Sequence, residues 1–319
     1  MERRAFLGTA GIALSTLAAG CASRAPSADD STTRGPTSDE TTRTETTDGD
    51  ANEASPETER TRVAAGETVS FAVGDGSLAD AGSRREHLLV VPNRGDGELV
   101  ASLAVERDGE ASFDRAFALA PGAAVRVSLT DLARFDATCE LPERNASESV
   151  ALGPDAFTCN VQRTSFALRN GDLTAQTAST LMACPGVVTE HVPAGDATTA
   201  TVGGPTATTE PEPDEPAPHA LVAENPTDET WTVRLLVERD GQYPFDGVYA
   251  LEPGASASVS IPEPADYALS ATVVESGDAA TETVAASSFD CNQRTTAATV
   301  GEDGTVDAAT VSTLLACPE

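Results

Sequence analysis

The chain contains no lysine, and its 20 basic residues, all arginine, stand against 51 acidic ones. Lacking a basic face, it has nothing to neutralise a phosphate backbone, which excludes nucleic acid as a partner and recruitment by charge to an anionic membrane. No apolar run after the N-terminal one is long enough to span a bilayer. No segment carries the apolar stripe of an amphipathic helix. There is no nucleophile elbow, phosphate-binding glycine loop, His-Glu-x-x-His or paired-carboxylate cleft, so the chain reads as a non-enzyme without a cofactor. The six cysteines include no Cys-x-x-Cys pair and the three histidines are not clustered, which argues against a zinc site.

What is abundant is negative charge. A net charge of -31 repels itself in dilute buffer and weakens the compact state. At molar ionic strength the screening length falls to roughly 3 Å and that penalty disappears. The acid excess, the missing lysine, the scarce aromatics and the plentiful Ala and Thr together resemble proteins of halophilic archaea.

The N-terminus carries Glu2-Arg3-Arg4-Ala5-Phe6-Leu7-Gly8, then an apolar run to Ala19, then Leu17-Ala18-Ala19-Gly20-Cys21. The run from Ala5 to Ala19 is shorter than the ~20 residues of a spanning helix, so it reads as the hydrophobic region of a signal. Arg3 and Arg4 before Phe-Leu resemble a twin-arginine export signal, and the segment ending at Cys21 resembles a lipobox. That resemblance implies removal of residues 1–20 and lipid on Cys21, holding the protein to the cell membrane with its bulk facing outward. Residues 21–60 are nearly all Ser, Thr, Asp, Glu, Ala, Gly, Pro and Arg, too polar to offset chain entropy, and read as a disordered acidic tether. Within it Asp48, Asp50, Asn52 and Glu59 mimic calcium-loop spacing, but Glu53 stands where glycine is required and Pro56 interrupts the loop.

Beyond the tether the sequence repeats itself. "HLLVVPN" from His87 matches "HALVAEN" from His219, and "VERDGEASFDRAFALAPG" from Val105 matches "VERDGQYPFDGVYALEPG" from Val237. "CNVQRT" from Cys159 matches "CNQRT" from Cys291, and the three matches share one offset of 132 residues. "VAAGETVSFAVG" from Val63 matches "VPAGDATTATVG" from Val192, which puts the Pro-rich stretch near Pro205–Pro218 inside the second unit. The units are placed at 61–187 and 188–319.

Each unit reads as β. Leu99, Ala101, Leu103 and Val105 alternate with other residues, as Trp231, Val233, Leu235 and Val237 alternate with Thr232, Arg234 and Glu238, so one face should be buried. Turn pairs recur at Asp108-Gly109, Pro121-Gly122, Asp240-Gly241 and Pro253-Gly254. Short strands punctuated this often predict an all-β chain of two tandem antiparallel sandwiches, immunoglobulin-like in type.

With Cys21 assigned to lipid, Cys159 and Cys184 occupy the same places in the first unit as Cys291 and Cys317 in the second. If Asn170-Gly171 and Asp303-Gly304 turn the closing hairpins, each pair falls within two places of facing across the open end, so disulfides Cys159–Cys184 and Cys291–Cys317 are predicted. Cys139 is left over and reads as a small buried thiol. His87 and His219 begin equivalent strands and read as structural, without metal. Met182, Cys184 and His191 lie close in sequence, but a blue-copper site needs a free thiolate and two imidazoles. Asn145-Ala146-Ser147 is a glycosylation sequon. Arg163 and Arg294, in the repeated Gln-Arg-Thr, read as outward strand residues paired with carboxylates.

Signal, lipobox, tether and duplicated β units together resemble the surface lipoproteins of halophilic archaea. That resemblance implies a non-enzymatic, membrane-anchored protein whose Ig-like units bind a protein or glycan at the envelope. A solute-binding or accessory subunit of a transporter is the alternative, although such receptors are usually α/β. A redox or metal-binding surface protein using Cys139 or His87 is the third.

Overall fold

The computed structural model describes residues 60–169, 171–203, 216–314 and Cys317. The expected signal with Arg3, Arg4 and Cys21, the tether and the spacing from Asp48 to Glu59 lie outside these residues. The first repeat runs β1 (Thr61–Val63), β2 (Thr68–Val73), a four-residue helix α1 (Ser77–Asp80), β3 (His87–Pro92), β4 (Leu99–Arg107) and β5 (Glu110–Leu119). It continues with β6 (Ala124–Leu129), β7 (Phe135–Leu141), β8 (Ala146–Leu152), β9 (Gln162–Arg169) and β10 (Asp172–Ser179). The second repeats the plan with β11 (Val187–Val192), β12 (Ala197–Thr201), β13 (His219–Glu224), β14 (Trp231–Arg239) and β15 (Gln242–Leu251). β16 (Ser256–Ile261), β17 (Tyr267–Val273), β18 (Ala279–Val284), β19 (Arg294–Val300) and β20 (Val306–Ser312) complete it. No helix among the described residues is long and apolar enough to cross a membrane.

Each repeat stacks two five-stranded sheets, ordered β1-β5-β4-β7-β8 over β10-β9-β3-β6-β2 and β11-β15-β14-β17-β18 over β12-β16-β13-β19-β20. The alternation read from the sequence fills the space between them. Leu103, Val105 and Phe135 from one sheet meet Leu89, Val127 and Phe166 from the other in one buried cluster. Val233, Leu235 and Val237 do the same with Leu221 and Val259 in the second. Each such side chain stabilises the fold by roughly 1.5–3 kcal/mol.

The repeated turns explain the shared register. Asp108 and Gly109 have φ of 52° and 82°, and Asp240 and Gly241 have 54° and 74°, so both central residues of each hairpin are left-handed. Two-residue turns of this kind match the strand twist, and Asp-Gly suits them because a short polar residue and glycine tolerate positive φ. They set Arg107 opposite Glu110 and Arg239 opposite Gln242. Asn93 reinforces the next turn by donating from Nδ2 to the carbonyls of Gly97 at 2.7 Å and Leu119 at 2.8 Å. Asn225 repeats this toward Glu229 and Leu251.

Three details differ from the sequence reading. The sheets are mixed, because β1 runs parallel to β5, β2 to β6 and β3 to β9. The N-terminal strand of each repeat is divided between the two sheets, and a three-residue piece such as β1 gives no periodic signal of its direction. In the closing hairpin of the second repeat the turn is longer than Asp303-Gly304. Gly301 N donates to the Thr305 carbonyl at 2.8 Å and Thr305 Oγ1 to Asp303 Oδ1 at 2.7 Å, so Val300 faces Val306 and the pairing slides by one residue. Finally, β14 is buried on both faces from Val233 through Val237, where alternation predicted one. A covering element from the first repeat is the reason, and the described residues of both repeats belong to one compact unit.

Candidate functional site

The chemistry-bearing features gather at two places: the open ends of the closing hairpins and the contact between the sandwiches. β10 and β20 are terminal strands of their sheets, hydrogen-bonded to β9 and β19 on one side among the described strands. Past each strand the chain runs out along the partner strand, with Thr180 N donating to the Val161 carbonyl and Thr313 N to the Gln293 carbonyl. There the cysteines meet as disulfides, Cys159 with Cys184 at a Cα separation of 5.6 Å and Cys291 with Cys317 at 5.5 Å. Asn160 adds a second clamp: its Oδ1 accepts from Met182 N at 2.8 Å and Thr180 Oγ1 at 3.0 Å, while its Nδ2 donates to the Met182 carbonyl at 3.0 Å.

This clamping holds apolar side chains in water. Leu181 is 97 % exposed and Leu314, at the equivalent place, 96 %. Met182, Val161 and Val311 complete the five exposed large apolar residues among those described, and all five belong to the two closing hairpins and their arms. Burying one leucine recovers roughly 1.5–3 kcal/mol, which these positions forgo. The arm is also uncharged: from Leu173 to Cys184 no side chain is ionised, in a chain of net charge -31. Sequence reasoning did not single out these leucines. The available signal was the identical Ser-Thr-Leu in both repeats, at Ser179-Thr180-Leu181 and Ser312-Thr313-Leu314.

The contact between sandwiches centres on Asp246 of β15, whose side chain is 0 % exposed. Arg84 Nε donates to its Oδ1 at 3.0 Å, Arg234 Nη2 to its Oδ2 at 2.8 Å, and Ser83 N to Oδ2 at 2.8 Å. Arg84 also donates to the carbonyls of Phe157 and Val188 and to Thr189 Oγ1, so this buried cation is fully engaged by both repeats. Burial pushes the Asp246 carboxyl up, but hydrogen bonds and charge from Arg234, then the charge of Arg84, hold it below the ordinary carboxylate value. Gly82, at φ 94°, lies against Arg234 and Asp246 with no room for a side chain. Nearby Val248 joins the apolar cluster of the first sandwich. None of Arg84, Arg234 or Asp246 was singled out as a site by the sequence, in which Arg234 reads as an ordinary outward residue.

The other candidates resolve as framework. His87 Nε2 lies 2.9 Å from Thr164 Oγ1, itself 2.7 Å from Thr177 Oγ1. His219, Thr296 and Thr310 repeat this at 2.9 and 2.8 Å. Burial lowers both histidines below their ordinary value, so they sit neutral as cross-strand struts. His191 instead pairs in the open with Glu252 at 2.9 Å. Cys139 lies buried on β7 with its thiol pushed up to about 12, first by burial and then by Glu140, which leaves it inert. Among the described residues no three His, Cys, Asp or Glu are grouped to hold a metal. Arg294 pairs with Asp290 at 3.2 Å. Asn145 is exposed with φ 48°, at the turn into β8.

Residues 229–315 match the halobacterial Ig-like domain family. The matched segment runs from β14 to β20 and includes the closing hairpin of the second repeat with Cys291, ending two residues before Cys317. Among solved structures, the chain is similar to a candidate cell adhesion protein from Bacteroides uniformis at 10% identity, over 72% of this chain and 97% of that one. The TM-score is 0.19, too low to bear on fold or function. Among curated proteins none matches.

Proposed function

We propose that this chain is a non-enzymatic protein of a halophilic cell surface, exported through the signal at Arg3 and Arg4 and held to the membrane by lipid on Cys21. In this reading the acidic tether carries two Ig-like units, residues 61–187 and 188–319, which bind a protein or glycan partner at the envelope. The observation that carries it is that, among the described residues, the large exposed apolar side chains all belong to the two disulfide-clamped hairpins and their arms. Large apolar side chains left in water at equivalent places in both repeats are suited to burial against a partner, and rigid clamping reduces the ordering cost of binding. The family match over 229–315 supports the Ig-like, halophilic setting. Asn145, exposed on its turn, is accessible to glycosylation.

Crosslinking on intact cells in high salt tests the reading. The wild-type chain should capture envelope proteins, and the double variant Leu181→Ser, Leu314→Ser should capture far fewer. Recovery of a permease in place of these would favour the transporter-subunit alternative, and capture indifferent to the arm variants would remove the arms from the site. Cys21→Ser should release the protein into the medium, and retention on the cell would refute the lipid anchor.

A further inference from the structure

The second sandwich holds the chain's single tryptophan at one end, and the first has a cavity at the same end. We propose that this cavity is a socket for a tryptophan side chain of a partner protein, held beside an acidic group of that partner. The inference rests on the reading of the units as binding modules and names what one of them takes. Trp231 opens β14 opposite Leu251, and its half-buried indole lies against Gly304 while Nε1 donates to Thr227 Oγ1 at 3.1 Å. Leu99 opens β4 opposite Leu119, in the same register, and lines a cavity of about 290 Å³. Leu141, Phe166 and Leu173, all buried, form its apolar wall.

The differences between the repeats converge on this spot and select the occupant. Leu99 stands where the second repeat has its indole, and the closing turn is shorter, with four residues between the paired Leu168 and Leu173 against five between Val300 and Val306. The longer turn brings Gly304 onto the indole and is tied down by Ser276 Oγ, which donates to the Gly304 carbonyl at 2.7 Å. Arg144 takes the place of Ser276, and Arg94 that of Pro226. Both arginines are exposed on the rim of the cavity, and no ion pair among the described residues engages either. Asp96 and Glu98 share the rim, but Asp96 has a counterpart in Asp228, whereas the arginines have none in the second repeat. A guanidinium without a partner recognises a carboxylate, which places an acidic group next to the ring. The volume stands at the lower end of the range for ligand sites, suited to one ring system, and the apolar wall suits an indole better than a polyhydroxyl sugar. Tryptophans seated in such pockets anchor many protein interfaces. A second copy of this chain does not supply the ring, since its one tryptophan is packed within its own second sandwich.

The test is methyl NMR of the full chain carrying Cys21→Ser, titrated with N-acetyl-tryptophan, which has the ring and the carboxylate without an ammonium group. The signals of Leu141 and Leu173 should shift and saturate while those of Leu221 and Leu235, in the second core, stay in place. Leu99→Trp, which fills the first socket as Trp231 fills the second, should abolish the shifts. Arg94→Ala, Arg144→Ala alters exposed positions alone and leaves the core intact. It should weaken binding several-fold, to the level of N-acetyl-tryptophanamide, which lacks the carboxylate. No shift at Leu141 and Leu173, an equal response to N-acetyl-leucine, or binding that neither variant disturbs overturns the proposal. On cells, Leu99→Trp should lower capture of envelope proteins with both arms unchanged. If the probe does not bind while Leu181→Ser, Leu314→Ser still lowers capture, the socket alone falls and the surface-binding reading stands.

Discussion

Asp114 on β5 and Asp246 on β15 occupy the same place in the two sandwiches, inside the repeated Phe-Asp at 113–114 and 245–246, yet one is exposed and the other wholly buried. Around Asp246 the outer face carries Arg234, Leu236 and Val248 and is covered by the Gly82-Ser83-Arg84 loop. Around Asp114 the matching positions hold Ser102, Ala104 and Ala116, and the face lies open as a groove of about 700 Å³. Duplication thus supplied one surface twice, and the two copies diverged by side-chain size: bulk and a second arginine where a neighbour docks, small residues where none does among the described residues.

The largest effect should come from the carboxylate itself. Asp246→Ala leaves Arg84 and Arg234 buried without a counter-charge, a loss of about 3–5 kcal/mol, whereas Asp114→Ala should stay within ~0.5 kcal/mol. Chemical denaturation of both variants measures the difference, and equal effects would break the comparison. The same residue sets an acid limit. Its folded value is depressed, so its contribution is fully present above the unfolded value near 3.8 and is lost as pH falls through the folded one. Acid titration followed by small-angle scattering should show the sandwiches separating below about pH 4, and a profile unchanged in Asp246→Asn would contradict this.

Next in size are the disulfides, which should act alike because their closed loops are nearly equal, at sequence separations of 25 and 26. Removing either pair as Cys159→Ser, Cys184→Ser or Cys291→Ser, Cys317→Ser should cost roughly 3–4 kcal/mol in the chain-entropy account. A large inequality, read by thermal unfolding, would show that one arm is held by contacts the other lacks. Smaller still is Val248→Ala, which removes two buried methyl groups from the seam at about 1.5 kcal/mol. Its counterpart Ala116→Val, on the open face, should move the unfolding midpoint scarcely at all.

Much of this was legible. Period-two alternation at Leu99 to Val105 and at Val233 to Val237 gave the buried faces, because a strand between two sheets must send alternate side chains to one core. Asp108-Gly109 and Asp240-Gly241 gave the hairpins, because few residue pairs accept two positive φ values in succession. Cysteine spacing brought the right pairs into reach, because a hairpin fixes which residues face each other. The one-residue slide beyond Val300 was hidden, since Gly301 and Thr305 close a loop whose length depends on Asp303 bonding within it. The exposed leucines were hidden too, since apolar character says nothing about where the opposite sheet ends.

The sequence by itself determined the strands, their turns and the duplication, all of which follow from local backbone preference and the alternation of side chains. Only the tertiary structure decided that Asp246 is a buried anchor and Asp114 a surface carboxylate. Both follow a Phe on equivalent strands, though Arg115 comes after one and Gly247 after the other, and burial of a charge depends on what another part of the chain brings to it: here Arg84, from 162 residues away.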